Sequence, residues 1–131
     1  MRTIPALLTA LALAAGPAFA EPASPYDDPA VTWVAVELAT APVAPRITLV
    51  FGKPGQLGGQ APCNVYGAEQ TADWPAFHTE ALFSTKMACP DLGTEAGYFD
   101  ALTRATQATL ADDGTLVLSF DAGPLIRFRP E

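Results

Sequence analysis

Cys63 and Cys89 are the only cysteines in the 131-residue chain, so one intramolecular cross-link is available to it. Whether that link forms depends on the compartment, because thiols stay reduced in the cytosol and oxidise outside it. The N-terminus speaks to the compartment. Arg2 makes a short positive start, Ile4 to Ala15 is apolar and rich in Leu and Ala, and Gly16-Pro17 breaks any helix. Ala18-Phe19-Ala20 then has the small-x-small pattern that signal peptidase reads. The apolar run is far below the ~20 residues that a helix needs to cross a bilayer. Residues 1–20 therefore read as a leader cleaved after Ala20, giving a periplasmic or secreted protein with no membrane span. In that oxidising setting Cys63 and Cys89 are expected to form a disulfide. Closing a loop of this length stabilises by roughly 3–4 kcal/mol in the chain-entropy treatment. No cysteine precedes Cys63, so no lipid anchor is expected at the cleavage point.

Composition narrows the rest. Half of the residues are hydrophobic and 16% are charged, which excludes disorder along the whole length. The formal charge is −7, and −8 once Arg2 has gone. A nucleic-acid binder needs a basic stripe to displace counterions from phosphates, and this chain has the opposite balance. The same charge disfavours anionic membranes and favours a soluble monomer. Residues 21–30 carry three prolines and no apolar period, so they read as a flexible lead-in to one domain over 31–131.

That domain reads mostly as strands. Val31 to Leu38 is β-branched and aromatic, with Trp33 and Ala35 on one side and Val34, Val36 and Leu38 on the other. Arg46 to Phe51 places Ile47, Leu49 and Phe51 on one face. Gly52-Lys53-Pro54-Gly55 is a turn by composition. Ala76 to Phe83 reads as a strand with Phe77 and Phe83 buried. Gln107 to Ala111, Thr115 to Phe120 and Leu125 to Arg129 form a closing meander, with turns at Asp112-Asp113-Gly114 and Asp121-Ala122-Gly123. In it Leu116, Leu118 and Phe120 share a face, Ile126 and Phe128 point inward, and Arg127 and Arg129 outward. One helix interrupts the strands, from Thr94 as N-cap to about Ala105. Glu95 lies in its first turn, where the helix dipole favours an acid, and Tyr98, Leu102 and Ala105 make its apolar stripe. The expected fold is β-rich α+β: an antiparallel sheet or partly open barrel of short strands, one helix packed on it, and one disulfide.

The candidates for chemistry are few. Leu57 to Gly67 combines paired glycines, Pro62, Cys63, Asn64 and Tyr66. It is not a phosphate loop, because it lacks the GK[ST] ending. Asn64 reads either as a turn residue bonding nearby backbone or, with Tyr66, as part of a ligand site. Cys63 or Ser84 with His78, the only histidine, would make a small hydrolase. Two cysteines and one histidine at 63, 78 and 89 match no usual zinc spacing, and no cofactor motif is present. His78 and Glu80 alternate on one strand face as a surface pair. The exposed loop Gly52 to Gly59 would suit an inhibitor of a hydrolase. The reading favoured over both is a non-enzymatic module that binds an envelope protein or a small ligand.

Two boxes, Pro62-Cys63-Asn64 and Thr85-x-Met87-Ala88-Cys89, resemble those of the META domain, the HslJ-like family of bacterial envelope proteins. The order of other features is similar too: Trp33 in the first strand, Leu57-Gly58-Gly59 before Cys63, Tyr98-Phe99-x-x-Leu102 as the helix, and Leu116-x-Leu118 and Ile126-x-Phe128 as closing strands. The resemblance spans about residues 31–129. Pro62 stands where the family usually has Gly, and Val65-Tyr66-Gly67-Ala68 departs from the pattern that commonly follows Asn64. The resemblance implies a small β-rich envelope domain with no defined catalytic residue. Some relatives are associated with heat shock, antibiotic tolerance or motility.

Overall fold

A computed structural model describes residues 12–17 and 24–131 of the chain. The leader reading and its cleavage point after Ala20 fall largely outside the described residues.

Among the described residues, nine strands and one α-helix follow in order: β1 (Trp33–Leu38), β2 (Ala41–Pro42), β3 (Thr48–Leu49), β4 (Gln56–Gln60), β5 (Val65–Gln70), β6 (Thr79–Ser84), α1 (Leu92–Arg104), β7 (Gln107–Leu110), β8 (Leu116–Phe120) and β9 (Gly123–Pro130). They build two open antiparallel sheets. One runs β2-β1-β9-β8-β7, with β3 also paired to β1, and the other runs β4-β5-β6. Single bridges join them at Val50–Gly58 and Ala76–Gln107. The helix packs against β1, β6 and β9. The expected β-rich α+β arrangement is therefore observed, as open sheets rather than a closed barrel. Cys63 and Cys89 are bonded, with Cα atoms 5.6 Å apart.

Period-two alternation explains most of the core. Ile47, Leu49 and Phe51 are all buried, as are Leu116 and Leu118, Ile126 and Phe128, and Trp33 with Ala35. They meet Tyr98, Ala101, Leu102 and Ala105 from the inner face of α1 in one cluster. Each fully buried aliphatic or aromatic side chain contributes about 1.5–3 kcal/mol relative to exposure.

The alternation fails where the backbone shifts register. Ala81 takes a left-handed φ of 52°, opposite the irregularity between Gly67 and Glu69. Before it Phe77 and Thr79 are buried; after it the inward position passes to Leu82, which packs against the core. Phe83, expected inside, is consequently 70% exposed. Its ring lies over Gly67, where any Cβ would overlap it, so an aromatic covers a glycine in mid-sheet. Phe120, also expected to be buried, is 46% exposed at the end of β8; the extra residue of the β8–β9 irregularity, Leu125, lies on β9, so Phe120 keeps the face of Leu118 and is exposed by its terminal place. The Arg104 guanidinium carbon sits 5.7 Å from the Phe120 ring centroid. The turn that follows uses Asp121 and Ala122, both at positive φ.

One further expectation is corrected. The helix starts at Leu92, with Asp91 at the N-cap position and no side-chain cap, not at Thr94. The Leu92 N–H donates to the Cys89 carbonyl, so the helix begins directly out of the disulfide-bonded segment. Within the segment read as a lead-in, Pro25–Asp27 forms a 3-10 turn and Tyr26 packs among Phe51, Trp74 and Phe77. Its hydroxyl donates to the Ala76 carbonyl at 2.7 Å. An aromatic that fills a gap between two sheets has strong reason to order the chain around it.

Gly59 sits where β3 and β4 close on each other. A Cβ there would collide with the Thr48 carbonyl oxygen, which belongs to backbone and cannot swing aside. Gly59→Ala is expected to lower stability by about 2–3 kcal/mol. Gly52→Ala, where nothing lies within 4 Å of the new Cβ, is expected to change it by less than about 0.5 kcal/mol. Urea midpoints of the two variants check this.

Candidate functional site

Pro62 ends the approach from β4, and the chain turns through Cys63 and Asn64 into β5. Asn64 is 5% exposed, and its side chain bonds on both edges. Its Oδ1 accepts from Thr85 Oγ1 at 2.8 Å and from the Met87 N–H at 2.6 Å. Its Nδ2 donates to the Met87 carbonyl at 3.1 Å and to Glu95 Oε2 at 2.7 Å. The Asn64 amide reads like a strand partner to Met87, which has no ladder of its own.

Glu95, only 4% exposed, is the centre of this network. Its Oε1 accepts from the backbone N–H groups of Cys63 at 3.2 Å and Asn64 at 2.9 Å. By its place in the first turn of α1, Glu95 reads as an acid serving the helix dipole. One signal pointed further: Glu95, Tyr98 and Leu102 fall at i, i+3 and i+7, so the carboxylate continues the apolar stripe. An acid on the buried face of a helix needs donors from elsewhere in the chain.

Tyr66, the other candidate, faces away from this surface into the core, and the structure does not bring it beside Asn64's open side. Its hydroxyl donates to the Thr48 carbonyl at 2.7 Å and meets the Tyr98 hydroxyl at 2.6 Å. Burial, the neighbouring Tyr98 and the bond between the two hydroxyls all push the Tyr66 phenol well above its ordinary range. Burial raises Tyr98 as well.

The hydrolase candidates are dispersed. The Cys63 sulfur is bonded to Cys89. The His78 ring Nε2 lies 3.0 Å from Glu80 Oε1 on an exposed face, and neither Cys63 nor Ser84 is its partner. Among the described residues no group of three or more His, Cys, Asp or Glu side chains is placed to hold a metal. The loop Gly52 to Gly59 divides: its first four residues are exposed, and the rest belong to β4. Arg127 pairs with Glu37 at 3.4 Å and bonds Thr115 at 3.1 Å, and Arg46 pairs with Glu131 at 2.8 Å.

A groove of about 350 Å³ runs between the segment Ser84–Ala88 and the outer side of α1. Asn64 and Glu95 form its floor, and Met87, Leu92, Ala96 and Phe99 supply its apolar walls. Met87 and Leu92 are 67% and 43% exposed. Lys86 is the one cation on its rim. A larger concavity of about 630 Å³ lies on another side, lined by Asp27, Asp73 and Glu69 of β5 beside Tyr26 and Trp74.

Two outcomes follow from this geometry. Asn64→Ala strips Met87 of both main-chain partners and Glu95 of one donor, and is expected to cost about 2–4 kcal/mol in denaturant unfolding. The second concerns pH. Because Tyr66 and Tyr98 are raised in the folded state, their contribution is complete below the unfolded tyrosine value of about 10 and is lost as pH climbs above it. Tyrosinate absorbance is expected to rise together with loss of the circular-dichroism signal. Two tyrosines titrating near pH 10 with the fold intact would refute this.

Two solved structures share the fold. One NMR structure superposes with a TM-score of 0.63 at 19% identity, covering 82% of this chain and 94% of that one. Another, of a protein from Burkholderia xenovorans, gives 0.61 at 22% identity, covering 88% and 95%. No curated protein matches the chain significantly. The sequence matches the META domain family model over residues 29–131, a stretch that holds both sheets, the helix and the disulfide, and the chain therefore belongs to the META domain family.

Proposed function

We propose that this META domain is an exported, non-enzymatic binding module, released by cleavage after Ala20 into the periplasm or medium, that receives an apolar side chain of an envelope protein in the groove beside α1. The observation that carries the reading is the contrast between the groove's walls and its floor. The walls expose Met87 and Leu92 to water, while the polar atoms of Asn64 and Glu95 beneath them are taken up by internal bonds. Such a surface has little polar capacity to offer a ligand, and gains most by covering apolar area.

Several facts support the setting. The leader pattern of residues 1–20 marks export. The disulfide fits an oxidising compartment, and no helix among the described residues is long and apolar enough to cross a membrane. The non-catalytic reading draws on Cys63 being bonded to Cys89 and on His78 being turned to Glu80. A role in envelope stress tolerance is part of this proposal and rests on the family resemblance.

Photocrosslinking residues placed at Met87, Leu92 and Lys53 test it in living cells. The same envelope protein is expected from the first two positions and none from Lys53, which lies in the exposed turn before β4. Leu92→Glu, on the exposed side of α1, is expected to weaken that interaction about tenfold or more while leaving the fold intact. Crosslinks from Lys53 alone would overturn the groove in favour of the turn, the surface an inhibitor of a hydrolase would use.

A further inference from the structure

The cysteine sulfurs are joined to each other, and the chain has just two methionines, Met1 in the leader and Met87. Met87 thus carries the one thioether of the domain. Its residue is 67% exposed, and it stands on a wall of the groove beside Leu92, Ala96 and Phe99. The main chain at this point is pinned, since both the N–H and the carbonyl of Met87 bond the Asn64 side chain. The backbone is held while the residue as a whole is exposed to solvent. The two tryptophans, the other readily oxidised side chains, are placed differently. Trp33 is buried, and Trp74 is half-buried and edge-on to Tyr26.

We propose that Met87 is a modification site at which a hydroperoxide or other two-electron oxidant of the exported compartment converts the thioether to a sulfoxide, removing an apolar wall of the groove. The sulfur lone pair attacks the outer oxygen of hydrogen peroxide, and an S–O bond forms as the O–O bond breaks. Sulfur gives up two electrons, and the departing hydroxide takes the remaining peroxide proton and leaves as water. The product is polar and accepts hydrogen bonds where the parent was apolar. The bonds holding this segment involve the Met87 main chain, so the oxidised protein keeps its fold. The modification itself stands on exposure and chemistry; its consequence for binding rests on the groove proposed above.

The test treats the purified exported protein with dilute hydrogen peroxide, maps the product by peptide mass, and measures binding of anilinonaphthalene sulfonate, an apolar anion suited to Lys86 and the groove. The expected result is one added oxygen atom, on Met87, absent from Met87→Leu. The circular-dichroism spectrum and melting midpoint should be unchanged, and probe binding about tenfold weaker. Oxygen entering at Trp74 with Met87 intact, or unfolding on oxidation of Met87, would overturn the inference even if the native protein binds the probe. Oxidation of Met87 in a protein that never bound the probe would uphold the modification site and count against the groove.

Discussion

Three donors from one turn converge on the carboxylate of Glu95, and that convergence sets where the helix lies. The backbone N–H groups of Cys63 and Asn64 and the Asn64 amide all reach it. A carboxylate this buried is tolerable only with partners, and removing one partner from such a site costs more than the pair contributes. The turn, the segment Thr85–Asp91 and the first turn of α1 are therefore held as a unit, although twenty residues of chain separate the turn from the segment. The disulfide runs alongside this network and limits how far its pieces separate in the unfolded chain. Once the start of α1 is anchored there, Tyr98 and Leu102 fall over the core, and Tyr98 meets Tyr66 hydroxyl to hydroxyl.

The same network shapes the surface above it. Thr85 still bonds Val65 of β5, but residues 86–91 belong to no strand and are positioned largely by the Asn64 side chain and Cys89. This leaves a wall of apolar side chains standing over a floor whose hydrogen-bonding capacity is already used. Asn64, a candidate ligand residue from its motif, thus holds a wall of the groove through its amide, which is already bonded within the chain. Tyr66 acts through the core.

In the interior of unbroken strands, period-two spacing identifies the buried face. Ile47, Leu49, Phe51, Leu116, Leu118, Ile126 and Phe128 all lie inside. Phe83 departs from the alternation because a bulge adds a residue to β6 and the side chains beyond it change face; Phe120 keeps the face of Leu118 and is exposed by its place at the end of β8. The Ala81 bulge has no glycine or proline to announce it, and Ala at positive φ is held there by the surrounding sheet. Local chemistry places the N-cap three residues late, at Thr94 rather than Asp91, whereas the true start takes its anchor from Cys89 and from Glu95's distant donors.

By itself, the amino-acid sequence determined the one cross-link open to the chain, the β-rich composition with its single helix, the pairing of short amphipathic strands, and the motif boxes of the META domain. These are local or combinatorial properties, carried by residue type and spacing. The tertiary structure decided which acid is buried, which aromatics face water, that Asn64 and Tyr66 serve different regions, and that a groove lies between Ser84–Ala88 and α1. Each of these depends on partners distant along the chain, such as Glu95 and the turn at Cys63–Asn64. Spacing along a sequence holds no record of such a meeting until the backbone has folded to bring the two together.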